Sequence, residues 1–321
     1  MDLIYMNHAK EDIGVMKGFT FDLAFGADEN DFECELNLNR HCCNAGDYLY
    51  IENTEYGGII DSIAVDTDQQ TVTYIGRTWH GILDSKVLQP DARQSYLTLQ
   101  GEANTVLATL ISRMHLEGLF RASTASSGIS INSYKMNRYI TGYKGIMKML
   151  KASGAKLNVA FKEGFVELSA RPSVNYASDE EFDADQISFK IQQDFAPINH
   201  VVCLGKGELA EREIIHVYAD RNGNVSSTQV ITGIDEVAAV YDYSSAESTD
   251  ELRQGGVDII KESWASSSVE WDFSSNEETY DIGDIVGAKE RLTGIEAASE
   301  ITKKIVTINE TETNISYKVG D

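Results

Sequence analysis

Over the first ~85 residues, apolar and polar positions alternate with the period of two that a half-buried strand requires. Phe19, Phe21, Leu23 and Phe25 are separated by Thr20, Asp22 and Ala24. Phe32, Cys34, Leu36 and Leu38 are separated by Glu33, Glu35 and Asn37. Further strands are predicted over residues 48–52, 59–65 and 71–75, the last two joined by the polar turn Asp66-Thr67-Asp68-Gln69-Gln70. Short strands with one apolar face and frequent turns predict a small barrel or sandwich.

Around Pro90 the period changes. Val106, Leu107, Leu110, Ile111 and Met114 lie on one face of a helix that Gly118 can end. A second helix is predicted near 143–152, carrying Ile146, Met147, Met149 and Leu150 and stopping at Gly154. Leu157, Val159 and Phe161 then alternate into Lys162-Glu163-Gly164, with Val166 and Leu168 on the return strand. Helices packed on a hairpin make a compact α/β module.

The acidic run from Asp179 to Asp185 reads as a solvated connection. Strands are predicted to resume at 187–193 and 200–204. Residues 214–219 and 227–232 flank Asn222-Gly223, a hairpin turn signal. Ser248-Thr249-Asp250-Glu251 fits a capping box, followed by Leu252, Ile259, Ile260 and Trp264 on a helix near 248–265. Closing strands are predicted at 269–273, 285–289, 301–308 and 314–319.

The two ends of the chain echo one another. Gly46-Asp47 begins a strand, and a hairpin through Asp66 returns with Tyr74 at its centre and Gly76 at its end. Gly283-Asp284 begins another, and a hairpin through Asn309 returns with Tyr317 and Gly320. Half-buried hairpins produce such patterning by themselves, and duplication produces it too. The expected architecture is α+β and mostly β: two small barrel-like domains, 1–90 and 176–321, flank an α/β module at 91–175.

Composition narrows the function. With 42% hydrophobic residues the 321-residue chain can fill real cores. A formal net charge of −24 opposes phosphate binding and attraction to anionic membranes, so neither sequence-specific nucleic-acid binding nor stable membrane insertion is expected. No apolar run is long enough to span a bilayer, and Met1-Asp2-Leu3-Ile4-Tyr5 lacks the basic start of a signal peptide, so synthesis in the cytoplasm is expected. Cys34, Cys42, Cys43 and Cys203 show no disulfide-framework spacing.

The candidate chemistry lacks its required context in each case. Val201 to Ala210 resembles a dinucleotide fingerprint, but the β-patterned run from Glu213 leaves no room for the helix that would hold a pyrophosphate. His41-Cys42-Cys43 with Cys34 suggests zinc, yet adjacent cysteines on extended chain point to opposite faces. Asp220 to Asn224 resembles a calcium loop without its distal glutamate. The six histidines fall in no hydrolase or metalloprotease motif. Arg77-Thr78-Trp79-His80-Gly81 is read as a packed strand end ahead of a binding site. No catalytic, cofactor-binding or metal-binding residue is therefore assigned, and no enzyme is expected.

The wording of five stretches adds to this. Glu52 to Asp61, Thr73 to Leu83, Gly101-Glu102-Ala103-Asn104, Val240 to Glu247 and Tyr280 to Ala288 resemble the siphophage and prophage tail proteins related to baseplate hubs. The resemblance spans nearly the whole chain. It implies a trimeric ring beneath a tail tube, contacts with tube-side and tip proteins, and residence in the virion, with no appended peptidase or glycan-binding domain before Asp321. The alternative from a different class is a carbohydrate- or receptor-binding module using Trp79, Trp264 and Trp271; a third is a cell-wall hydrolase. The charge further predicts that carboxylates line the opening of such a ring.

Overall fold

A computed structural model describes residues 1–26, 28–178, 181–183, 190–191, 196–246, 248–265, 269–275, 280–289, 292–293 and 296–320. The chain folds as two compact units. The larger comprises Met1–Ser188, Trp271–Lys289 and Ala298–Asp321, and the smaller Phe189–Glu270 and Glu290–Ala297.

In the larger unit one long antiparallel sheet runs in the order Val269–Ser275, Thr313–Val319, Glu296–Asn309, Phe19–Gly26, Asp31–Asn37, Thr71–Thr78, Gly57–Asp66, Tyr48–Tyr50, Ile4–Met6 and Asp12–Val15. The predicted alternation is realised: Phe19, Phe21, Leu23, Phe32, Cys34 and Leu36 are buried, whereas Thr20, Asp22, Glu33 and Glu35 are on the solvated face. Phe21 meets Phe32 edge to face at 5.4 Å, a geometry that adds to area burial.

The helical module belongs to the same unit. Helices α1 (Trp79–Asp84), α2 (Ala103–Arg113) and α3 (Gly142–Lys151) share one apolar core with the strands Ala155–Lys162 and Phe165–Pro172. Thr78 caps α1, its hydroxyl accepting from the Gly81 N–H at 3.3 Å. Glu102 does the same for α2, accepting from Thr105 N–H at 3.0 Å. Tyr48 and Tyr50 from the sheet side and Trp79 and Phe161 from the module lie in that core, with Tyr50 and Phe161 rings 4.1 Å apart.

In the smaller unit the sheet order is Val225–Ser226, Ile214–Ala219, His200–Leu204, Ala238–Asp242, the last pair parallel. Helix α4 (Thr249–Ala265) buries Leu252 and Ile260 against Val201, Cys203 and Val217. It approaches closely because Gly256 faces the sheet: a Cβ there would sit 2.4 Å from the Cys203 sulfur. The predicted cap is present, Ser248 Oγ accepting from Glu251 N–H at 3.2 Å.

Three expectations differ from what is observed. The contacts do not group the chain as 1–90, 91–175 and 176–321. Glu296–Asn309 pairs with Phe19–Gly26 from Lys303↔Gly26 to Asn309↔Thr20, a register nearly the whole chain apart that periodicity does not encode. The segment predicted as a strand at 227–232 is irregular. The ladder holds only Val225–Ser226 and is followed by a 3-10 turn at Gly233–Asp235. The acidic connection contains a short strand, Glu181–Asp183, parallel to Ile285–Lys289; the rest of that run, and most of the strand predicted at 187–193, lie outside the described residues.

Candidate functional site

The echo seen in sequence is a repeated three-stranded meander in the larger unit. The first consists of Tyr48–Tyr50, Gly57–Asp66 and Thr71–Thr78; the second of Ile285–Lys289, Glu296–Asn309 and Thr313–Val319. The entry turns match bond for bond. Gly46 N–H donates to Ile60 O at 2.8 Å and Gly283 N–H to Ile301 O at 3.0 Å. Ile60 N–H returns to Asp47 O at 2.9 Å, and Ile301 N–H to Asp284 O at 2.8 Å. Asp47 Oδ2 accepts from Asn44 N–H at 2.7 Å, as Asp284 Oδ2 does from Asp281 N–H at 3.0 Å. Both glycines hold nearly the same left-handed φ, +91° and +93°, which a side chain would oppose.

The correspondence continues along the strands. Register shifts by one residue between Ile60 and Ser62, and again between Ile301 and Lys303, so each central strand bulges at the same place. Tyr74 then lies opposite Ile63 and Tyr317 opposite Lys304. Each meander is flanked on its far side alike: Cys34 faces Tyr74 and Phe273 faces Tyr317. The hairpin loops close by one device, Asp66 Oδ1 accepting from the N–H groups of Asp68 and Gln69 and Asn309 Oδ1 from those of Thr311 and Glu312.

Between the meanders and the helical module lies a group of buried charges that sequence reasoning missed. Lys304, 1% exposed, pairs with Glu55 at 2.5 Å and lies 3.9 Å from Asp281. Lys156 pairs with Asp284 at 2.6 Å and lies 3.8 Å from Asp281. His80 Nε2 is 3.3 Å from Glu55. Burial pushes His80 down to about 3 against a smaller opposing pull from Asp281, so it is neutral near pH 7. Burial, with Glu55 adding to it, pushes Asp281 up to about 6 against the attraction of Lys304 and Lys156. A polar cavity of about 410 Å³ opens beside the group, lined in part by Asn53, Lys156, Lys162, Arg171 and Asp281. The signal was Lys304 itself, a charge on the inward face that otherwise carries Ile301, Val306 and Ile308.

The remaining candidates separate. The segment holding Cys42 and Cys43 is irregular rather than extended, and their sulfurs lie 3.7 Å apart instead of on opposite faces. A hydrogen bond from Cys43 lowers Cys42 to about 7. Among the described residues no group of three or more His, Cys, Asp or Glu is placed to hold a metal ion. The run Val201 to Ala210 is a strand followed by a three-residue 3-10 turn. At Asp220 to Asn224 the Asp220 carboxylate accepts from Asn222 and Asn224 N–H groups, closing a turn. Trp79 is fully buried, and Trp264 is half-buried with its indole N–H on Ile198 O at 3.0 Å. Trp79 is thereby closed to a sugar, whereas Trp264 lines a cavity of about 360 Å³. The side chain of Trp271 lies outside the described residues.

No family model and no curated protein matches the sequence. Solved structures do match. A prophage tail protein, gp18, from Listeria monocytogenes is 10% identical with a TM-score of 0.55, over 99% of this chain and 94% of that one. A tail protein from Neisseria meningitidis gives 10% and 0.52, over 100% and 96%. The 43 kDa tail protein of prophage MuSo2 from Shewanella oneidensis gives 9% and 0.58, over 99% and 98%. The chain has the fold of prophage tail proteins. At these identities the likeness is one of fold, with both chains covered almost end to end. Among the described residues no helix is long and apolar enough to cross a membrane.

Proposed function

We propose that the chain is a non-enzymatic structural subunit of a phage tail, forming a trimeric ring at the hub below the tail tube and joining it to tip proteins. The observation that carries this is the repeated meander. Three copies present six nearly equivalent elements, which would let a three-fold ring meet the six-fold tube that the resemblance to baseplate hubs implies, and closed symmetry stops the contact from running on into filaments.

The solvated face of the long sheet supports a place around a DNA path. It carries Asp22, Asp31, Glu33 and Glu35, with Asp22 directly opposite Glu33 and Asp31 opposite Arg77. Like charges facing across a ladder weaken the sheet, so stability alone does not favour them. Lining a lumen, they would keep phosphates from adhering. The carbohydrate-binding alternative loses Trp79, which is fully buried. The test is quantitative mass spectrometry of purified particles: three copies per tail are expected, and absence of the chain from particles, or turnover of peptidoglycan by the chain, would contradict the reading.

A further inference from the structure

Two thiols stand just ahead of the first meander, in the irregular run that leads to Gly46. Cys42 is exposed and Cys43 is fully buried, yet their sulfurs lie 3.7 Å apart, close enough for one to donate to the other. Neighbouring side chains on extended backbone diverge, so it is the local turn that brings these two together. Tyr74, the buried tyrosine of the returning strand, holds that turn. Its hydroxyl oxygen accepts from the N–H groups of Cys42 at 2.9 Å and Cys43 at 3.1 Å, and lies 2.9 Å from Nδ1 of His41. With both lone pairs of the oxygen used, its own proton goes to His41. The second meander carries Thr279 and Tyr280 at the same distance before its entry aspartate, so the shared turn does not itself demand a pair of cysteines.

The two sulfurs are not alike. The hydrogen bond from Cys43 is the main reason that Cys42 is held at about 7. The same bond, and then burial, pushes Cys43 up. An exposed thiol that is partly thiolate near pH 7 is the one that attacks, and a second thiol beside it is the one that resolves. The other cysteines are poor competitors. Cys34 and Cys203 are buried and raised by that burial, and Cys34 Sγ donates to Met16 Sδ at 3.6 Å.

We infer that Cys42 and Cys43 form a reversible oxidation site, closing a disulfide between neighbouring residues when the chain meets a low-molecular-weight disulfide. The Cys42 sulfur attacks one sulfur of the small disulfide; that S–S bond breaks, and the departing thiolate takes the proton that Cys42 gave up. The Cys43 sulfur then attacks the Cys42 sulfur, the mixed bond breaks, and the second small thiolate leaves with the Cys43 proton. Two cysteine thiols are oxidised and one small disulfide is reduced to two thiols. The sulfurs close from 3.7 Å to about 2.05 Å. Neighbouring Cα atoms across a trans peptide are about 3.8 Å apart, short of the usual disulfide span of about 4.4–6.8 Å, so the bond is strained and opens again to a thiol. It is a labile bond rather than a structural staple, and it does not depend on the ring reading.

The test is oxidation of the folded full chain by glutathione disulfide, followed by intact mass, thiol count and tryptic mapping. The mass is expected to fall by two hydrogens with no glutathione retained, and two of the four thiols to disappear. Both should map to the peptide from His41 to Arg77, which trypsin separates from Cys34 by cutting after Arg40. A monothiol should restore all four. Cys43→Ala, which cannot resolve, should keep one glutathione on Cys42, and Cys42→Ser should lose thiols at least about tenfold more slowly than the unaltered chain. An unaltered chain that stays fully reduced, keeps the glutathione, or links Cys42 to Cys34 or to a second chain would overturn the inference. Each of these is read without a variant, so a substitution that fails to fold leaves the test intact.

Discussion

The two meanders share a backbone and differ in what fills them. Both enter through a left-handed glycine followed by an aspartate, bulge one residue after an isoleucine, and return past a buried tyrosine. Yet Ile63, half-buried at an open edge, stands where the second meander has Lys304, buried and ion-paired. Turns and bulges are fixed by backbone geometry, which tolerates few residues. Interior positions need only be filled and electrically satisfied, so they diverge with their surroundings.

The strongest way to break the comparison is Lys304→Met. It leaves Glu55 without its cation and Asp281 with Lys156 alone, and a loss of about 3–5 kcal/mol is expected by chemical denaturation, because removing one partner leaves the other buried charge uncompensated. Ile63→Met, at the corresponding position, should cost under about 1 kcal/mol in the isolated chain. Equal losses would show that the repeat positions have not diverged as described.

Acid should separate two members of the charge group by sign. His80 is held below its ordinary value, so its contribution is present above about pH 6.5 and lost as pH falls towards 3. Asp281 is held above its ordinary value, so the folded state gains stability from it as pH falls from about 6 towards 4. In stability-versus-pH curves, His80→Gln is expected to flatten the acid limb and Asp281→Asn to steepen it. The reverse order would mean that the group is not buried as described.

The smallest effect contrasts Val65, exposed on the first central strand, with Val306, buried on the second. Val306→Ala removes two buried methyl groups and should cost about 1.5–2 kcal/mol. Val65→Ala should cost less than about 0.5 kcal/mol in the monomer, as surface changes do. Both costs are read as shifts of the denaturant midpoint.

Much of this was legible in sequence. Period-two alternation placed Phe19–Gly26, Asp31–Asn37 and Ile285–Lys289, and the Gly-Asp echo located both meanders. Capping residues fixed the start of α4. What alternation could not convey was partnership. Nothing local in Lys303 to Asn309 says that it lies beside Phe19–Gly26, so periodicity divides the chain into consecutive segments that the contacts do not follow. The buried charges were hidden for a related reason: Glu55, Lys156, Asp281, Asp284 and Lys304 each read as ordinary polar residues until long-range pairing brings them together. The irregular stretch after Ser226 shows the opposite failure, a β-patterned run with no neighbour to pair with.

The central claim is that two like elements in one chain occupy alternate positions of one ring. A symmetry-free reconstruction of the assembled tail end tests it directly. The account predicts three copies, with the 57–78 and 296–319 hairpins alternating around the axis at near 60° intervals. Six copies in the ring, or the two hairpins lying at different radii, would contradict it.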